Sequence, residues 1–289
     1  MFAIIGIVVV FASVVGGFLL GKGNLLVLWQ PNEFVIILGA AAGTILTANP
    51  LPTIKKLLHG VVAVVKGSRY TKLFYLEQLR MLNELFTFAR KNGLVKLEGD
   101  IEEPHKSAVF KKFPNFLKDH HALHFLCDTM RMSISGGVGH FELDQMMELD
   151  MDVHHHEETE PVAALTTMAD SLPGLGIVAA VLGVVITMGS LGGPPEEIGH
   201  HVAAALVGTF IGILMCYGLF GPIAANMAKL HEAEHQYYNF LRVGIISFIR
   251  GAAPILAVEF ARRSIPAGVR PTFKEMETAC RGQKAAAAA

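Results

Sequence analysis

The sequence predicts an all-α membrane protein: four transmembrane helices in two hairpins, with a helical cytoplasmic domain inserted between spans 2 and 3. Three observations predict it. First, the 289 residues are 52% hydrophobic and only 17% charged, where soluble domains carry about 25% charged residues. Second, the shortage is concentrated in four runs, 1–21, 34–54, 171–195 and 202–228, that contain no Asp, Glu, Lys or Arg. Each can cross a hydrocarbon core about 30 Å thick, which takes ~20 helical residues. Third, no alternation of apolar and polar residues persists long enough for a strand. The net charge of −1 offers no basic field for nucleic acid. Cys127, Cys216 and Cys280 lie far apart and read as reduced, unpaired thiols.

Span 1, about 2–21, opens MFAIIGIVVVF. It lacks the basic flank and cleavage site of a signal peptide and reads as a retained membrane helix. Span 2, about 34–50, starts behind Glu33 and leaves the membrane at Pro50 and Pro52. Residues 1–50 form the first transmembrane hairpin and 51–169 the cytoplasmic domain. Residues 170–224 form the second hairpin, with spans at about 171–191 and 202–224. Residues 225–289 form a cytoplasmic helix and tail, whose final alanine run at 285–289 is low-complexity. Of the 24 Lys and Arg residues, only Lys22 lies in a short inter-span loop. The positive-inside rule then puts both termini in the cytoplasm.

Small residues recur at close-packing spacing in every span: Ser13, Gly17 and Gly21; Gly39 and Gly43; Ala179 and Gly183; Gly208 and Gly212. Lipid gives helices no hydrophobic reason to associate, so small faces are how they pack. Within the insert, Leu76, Leu79, Leu82 and Phe86 form the stripe of an amphipathic helix over 70–92, stopped at Asn92-Gly93. A second helix is expected over 115–134, before Gly136-Gly137. Pro104 and Pro114 break further helices, and 140–160 is strongly acidic.

Histidine motifs are the sharpest local patterns. HEAEH at 231–235 matches H-E-x-x-H, two imidazoles one helical turn apart with a glutamate as base. A membrane zinc protease is its catalytic reading. Polar Glu234 and Gln236, and the lack of a clear third ligand, favour a solvated helix leaving the membrane. HHxxH at 120–124 and HHH at 154–156 read as surface helix. No phosphate-binding loop or nucleophile motif is present in the sequence, so neither a cofactor nor a resident metal is expected.

The spans themselves keep ionisable groups out of their apolar cores. Asp170 lies at the cytoplasmic mouth of span 3, and His200 and His201 at the outer mouth of span 4. Ion pathways normally display an intramembrane titratable group. What these spans offer instead is hydroxyls and kinks: Thr44, Thr187, Thr209, Tyr217, Pro173 and Pro222. If ions cross here, a partner helix must bring the titrating carboxylate.

Five blocks carry a family resemblance: QPNEFVII from Gln30, DSLPGLGIVAAVLGVV from Asp170, VGTFIGI from Val207, APILAVEFARR from Ala253 and RPTF from Arg270. The chain resembles the MotA/TolQ/ExbB proton channel family over nearly its whole length. Its two-hairpin layout and C-terminal blocks resemble the flagellar stator branch, MotA, since TolQ and ExbB have three spans. The length of the C-terminus and the RPTF block favour the proton-driven type over the shorter sodium-driven one.

This resemblance implies a stator subunit of the bacterial flagellar motor rather than an enzyme. It implies a pentameric ring around helices of a MotB-like partner that supplies the titrating aspartate. Pro173 and Pro222 match the family's functional prolines, and Thr209 its channel hydroxyl; Ala180, Leu206 and Tyr217 fall in the same lining, with Asp170 at the mouth. Arg90 and Glu98 match the charged pair that engages the rotor protein FliG, although the residues alone read as solvated surface. HHH at 154–156 departs from the family's acidic stretch. The alternatives are a TolQ/ExbB-like energy transducer for envelope transport and the zinc protease.

Overall fold

Helices account for the regular structure throughout: no strand occurs among the described residues. The computed structural model describes residues 2–189, 192 and 194–281, with Glu197 and His200 without their side chains. The expected end of span 3 at 191, the His200 side chain and the alanine run lie outside the described residues. The chain divides into two units. One comprises residues up to 67 together with 158–231; the other comprises 68–157 together with 232 onward.

In the first unit, α1 (Phe2–Leu20) and the short α2 (Leu25–Leu28) lead into α3 (Pro31–Ala48) and α4 (Leu51–Lys66). The later part of α9 (His140–Gly189), then α10 (Pro195–Met215), a π-helical turn (Cys216–Phe220) and the start of α11 (Gly221–Ile249) complete it. Four stretches are long and apolar enough to cross a membrane: Phe2–Leu20, Leu25–Ala48, and apolar windows within His140–Gly189 and His201–Ile249, with mean hydropathy of 2.7, 1.5, 2.2 and 2.1. The chain is therefore a multi-pass membrane protein.

Helix boundaries differ from the apolar runs where proline sets them. Pro31 occupies the first turn of α3 and Pro195 that of α10, positions where the missing N–H costs nothing. Both helices therefore begin before their charge-free runs. Pro52 does not end a helix; it lies in the first turn of α4. Pro114 likewise opens a short helix rather than breaking one.

The small-residue stripes divide into two kinds. A β-carbon on Gly212 would lie 2.5 Å from the Leu172 carbonyl oxygen, and one on Gly176 would lie 2.9 Å from the Gly208 carbonyl oxygen. At Gly183 it would meet the Ala205 side chain at 2.7 Å. The backbones of α9 and α10 thus touch directly. Gly17, Gly39 and Gly43 by contrast have no atom within 4 Å of such a carbon. Among the described residues, the glycine-mediated packing expected of every span is realised between spans 3 and 4.

The second unit contains α5 (Lys72–Asn92), α6 (Leu94–Glu102), α7 (Pro114–Leu117), α8 (His120–Ser135), the early part of α9, most of α11, α12 (Pro254–Ser264) and α13 (Phe273–Cys280). The Thr71 hydroxyl accepts from the Phe74 amide to start α5, and Gly93, at φ +87°, ends it. That is the stop expected at Asn92-Gly93. The α5 stripe is buried through Leu79, Leu82, Leu85 and Phe86, each such burial stabilising by roughly 1.5–3 kcal/mol. Phe86 stacks on Phe248 at 4.4 Å between ring centroids. Histidines join the packing: His121 stacks on His154 at 3.7 Å, and both rings meet Tyr238 edge-on.

At α13, the Thr272 side chain and the Glu275 carboxylate cap each other, and Lys72 lies 2.7 Å from Glu275. The Lys72 ammonium and the Thr272 donors hold the Glu275 carboxyl down to about 2. A depressed carboxyl contributes stability above its ordinary value near 4.5 and loses it as pH falls toward 2; exposure keeps the contribution small.

Two outcomes follow. Gly212→Ala should destabilise the detergent-purified protein by about 1–3 kcal/mol, because the obstacle is backbone, while Gly39→Ala should be near neutral; thermal melting reads both. Glu275→Gln should lower the melting temperature slightly at neutral pH, with the gap to the unsubstituted protein closing between pH 4.5 and 2.

Candidate functional site

The α9–α10 contact is the structural centre of the first unit. Because Gly208 has no side chain, the Glu33 carboxylate can approach it; a β-carbon there would lie 2.6 Å from Glu33 Oε2, 3.1 Å from Ala179 Cβ and 3.4 Å from the Ala180 amide nitrogen. Glu33, Ile37 and Ala41 are the buried face of α3, spaced one helical turn apart. Glu33 is only 6% exposed, and its Oε2 has no hydrogen-bond partner. An ionisable group is therefore buried at the start of span 2, just ahead of the charge-free run at 34–54. The reason is the early start of α3 at Pro31, which puts Glu33 in the first helical turn. The favourable N-terminal dipole for an acid adds to this placement.

The hydroxyls sort by their bonding. Thr44 donates to the Ala41 carbonyl at 2.7 Å, and Thr187 to the Gly183 carbonyl at 2.8 Å. Both are satisfied within their own helices. Among the described residues, Thr209 makes no such bond, and it lies where Gly176 of α9 approaches its backbone. Thr209 and Ala180 thus share the α9–α10 contact. Pro173 is half-buried, and Asp170 and Pro222 are exposed. Leu206 is 68% exposed and Tyr217 72% exposed. With Val202 and Ile213 these two form an uncovered face of α10 and the turn that follows. Exposed apolar faces of this extent mark contact with lipid or with other chains.

Two backbone interruptions flank this contact. Pro173 cannot donate to the carbonyl four residues earlier, and Pro222 cannot either. Just before Pro222, Cys216–Phe220 is wound as a π-helical turn, with the Gly221 amide bonded to the Cys216 carbonyl. Such turns concentrate at functional sites. Nothing in the apolar pattern of span 4 signals it. At Gly218 in this turn, a β-carbon would lie 3.0 Å from Val10 of α1.

In the second unit, Arg90 ends α5 and Glu98 lies on α6; both are exposed, and neither forms an ion pair among the described residues. The HEAEH residues take up packing and polar contacts. The His235 ring lies 4.7 Å from that of His155, Glu232 accepts from Gln236, and Glu234 accepts from Tyr70 at 3.2 Å. Among the described residues no three His, Cys, Asp or Glu side chains are arranged to hold a metal ion. Burial pushes the Cys127 thiol up to about 12, far from a reactive thiolate.

Two family models match the chain: Motility protein A N-terminal over residues 4–93 and the MotA/TolQ/ExbB proton channel family over residues 118–239. Motility protein A of Escherichia coli K12 is 38% identical over 284 residues, covering 98% of this chain and 96% of that protein. Chemotaxis protein LafT of Vibrio parahaemolyticus is 35% identical, covering 94% of this chain and 96% of its own. The MotAB structure from C. jejuni superposes with a TM-score of 0.74 at 22% identity, covering 92% of this chain and 95% of that one. The chain belongs to the MotA/TolQ/ExbB proton channel family, in its motility protein A branch.

Glu33→Gln should raise the stability of the purified protein by about 1 kcal/mol, since it removes the desolvation cost of a buried carboxyl whose Oε2 has no hydrogen-bond partner, and should slow swimming. A fall in melting temperature would instead mark Glu33 as a packing residue.

Proposed function

We infer that this chain is a stator subunit of the bacterial flagellar motor, converting ion-motive force into torque with a MotB-like partner. The observation that carries this is 38% identity to a motility protein A across nearly the full length of both chains. The match over residues 4–93 adds the first pair of spans, which favours the stator branch over TolQ and ExbB. In this reading the chain sits in the inner membrane as two hairpins with both termini cytoplasmic. Residues 51–169 and 225–289 lie on the cytoplasmic side.

The partner's aspartate takes up and releases the ion, a proton on the support of the C-terminal length and the RPTF block, beside Thr209, Ala180 and Pro173. Thr209 suits this because its hydroxyl is not committed to its own helix. Leu206 and Tyr217 are exposed enough to face a partner helix, and Asp170 and Pro222 line the cytoplasmic mouth. The uncovered small faces of α1 and α3 and the open face of α10 fit a ring of copies around the partner, with lipid outside. Arg90 and Glu98, without an ion pair among the described residues, are suited to the opposite charges of a rotor protein such as FliG.

One charge crossing the full field releases about 2.3 kcal/mol per 100 mV. That suffices to switch a packed helix pair between arrangements a few kcal/mol apart. The α9–α10 pair is suited to such switching. Its backbones touch, so small shifts are not absorbed by side chains, and Pro173 and the π-helical turn leave each helix with weakened hydrogen bonding at one level.

Pro173→Ala tests this reading. Swimming should be abolished while co-purification with the MotB-like partner is retained. Normal swimming in that variant would overturn the coupling role given to α9.

A further inference from the structure

A basic cleft in the membrane unit lies outside everything described so far. Lys55, Lys56 and His59 of α4 line it from one side, Glu158 of α9 and His231 of α11 from the others, around a cavity of about 400 Å³. Gly60 lets the helices close behind it, since a β-carbon there would collide with the Met227 methyl group. α4 begins at Leu51, three residues beyond the end of the α3 span at Ala48, so it is held at the membrane boundary.

The helix has three faces. Thr53, Leu57 and Val64 are buried against the unit. Leu51, Leu58, Val62 and Val65 form one apolar stripe that the chain leaves open, with Leu51 and Leu58 each 62% exposed. Lys55 and His59 flank that stripe. An apolar face bordered by cations is the signature of a helix lying in the bilayer interface, where anionic headgroups meet the charges.

We propose that this cleft binds the phosphate of an anionic phospholipid, with its acyl chains laid along the open stripe of α4. Lys55 is exposed and supplies the first cation. Lys56 lies 2.9 Å from Glu158 and is still 42% exposed, so it can reach a phosphate oxygen. The His59 Nδ1 lies 2.9 Å from the Lys55 carbonyl oxygen. A bond to a carbonyl requires the proton on Nδ1, so a second proton on Nε2 makes the ring a cation and a donor. The charged and titratable groups around His59 are Lys55 and Lys56 on its own helix, Glu158 on α9 and His231 on α11. The site needs the spans to cross a bilayer, and it is independent of torque.

Native mass spectrometry of the full-length protein in detergent tests the site, with phosphatidylglycerol and phosphatidylcholine added in turn. Phosphatidylglycerol should be retained about tenfold better. The paired change Lys55→Gln with Lys56→Gln should bring the two lipids to parity, and Lys66→Gln, outside the cleft, should not. Glu158→Gln should strengthen retention, an effect that a misfolded variant cannot mimic. Equal retention of both lipids by the unsubstituted protein would overturn the proposal. So would an equal loss with Lys66→Gln, or thermal stabilisation by inorganic phosphate matching that by phosphatidylglycerol.

Discussion

Direct backbone contact between α9 and α10 is the constraint on which the membrane unit depends. In a bilayer, helices gain nothing by hiding apolar surface from one another, so their attraction must come from close approach. Gly176, Gly183, Gly208 and Gly212 supply it by having nothing to interpose. Everything functional nearby inherits its position from this contact. Glu33 reaches the pair because Gly208 is empty, and Thr209 meets α9 because Gly176 is. Side chains could soften such a contact, and backbones cannot. This is why a small displacement there has to be answered by a change of helix geometry.

Much of this architecture is written in the distribution of charge. The four spans follow from charge-free runs, because a helix in lipid must satisfy its backbone internally and tolerates few ions. The ends of α5 and α8 follow from Gly93 and Gly136, both at positive φ, which a glycine adopts without strain. Family blocks in the sequence reach the candidate site residues Pro173, Thr209 and Pro222. Three features stay hidden. The π-helical turn at 216–220 leaves no compositional trace, since its residues are as apolar as their neighbours. The burial of Glu33 depends on a helix start set by proline and on a partner glycine far along the chain. The contrast between Thr209 and the back-bonded Thr44 and Thr187 depends on rotamers. Pairings between distant segments are what one-dimensional pattern cannot carry.

The histidine motifs show how local pattern misleads. H-E-x-x-H is a catalytic signature when its two imidazoles share a third ligand and an open position. Here the second of them, His235, meets His155, while Glu234 is engaged with Tyr70 and Arg69. The stretch HHH contributes His154 to a stack on His121. Rings that look like ligands in sequence are flat, semi-polar packing elements in the fold.

The π-helical turn also sets a phase. Winding one residue more into a turn displaces every later position by about 100° around the helix axis. The face that α11 presents at Met227, against Gly60 of α4, is therefore chosen at residues 216–220. Deleting a single residue within those five would leave an unbroken α-helix of the same composition and hydropathy. It would nonetheless aim Met227 away from Gly60 and bring a different side chain into the space that Met227 fills. Chain length at this one turn is thus a steric instruction, and two sequences that agree everywhere else could differ in fold packing by one residue here.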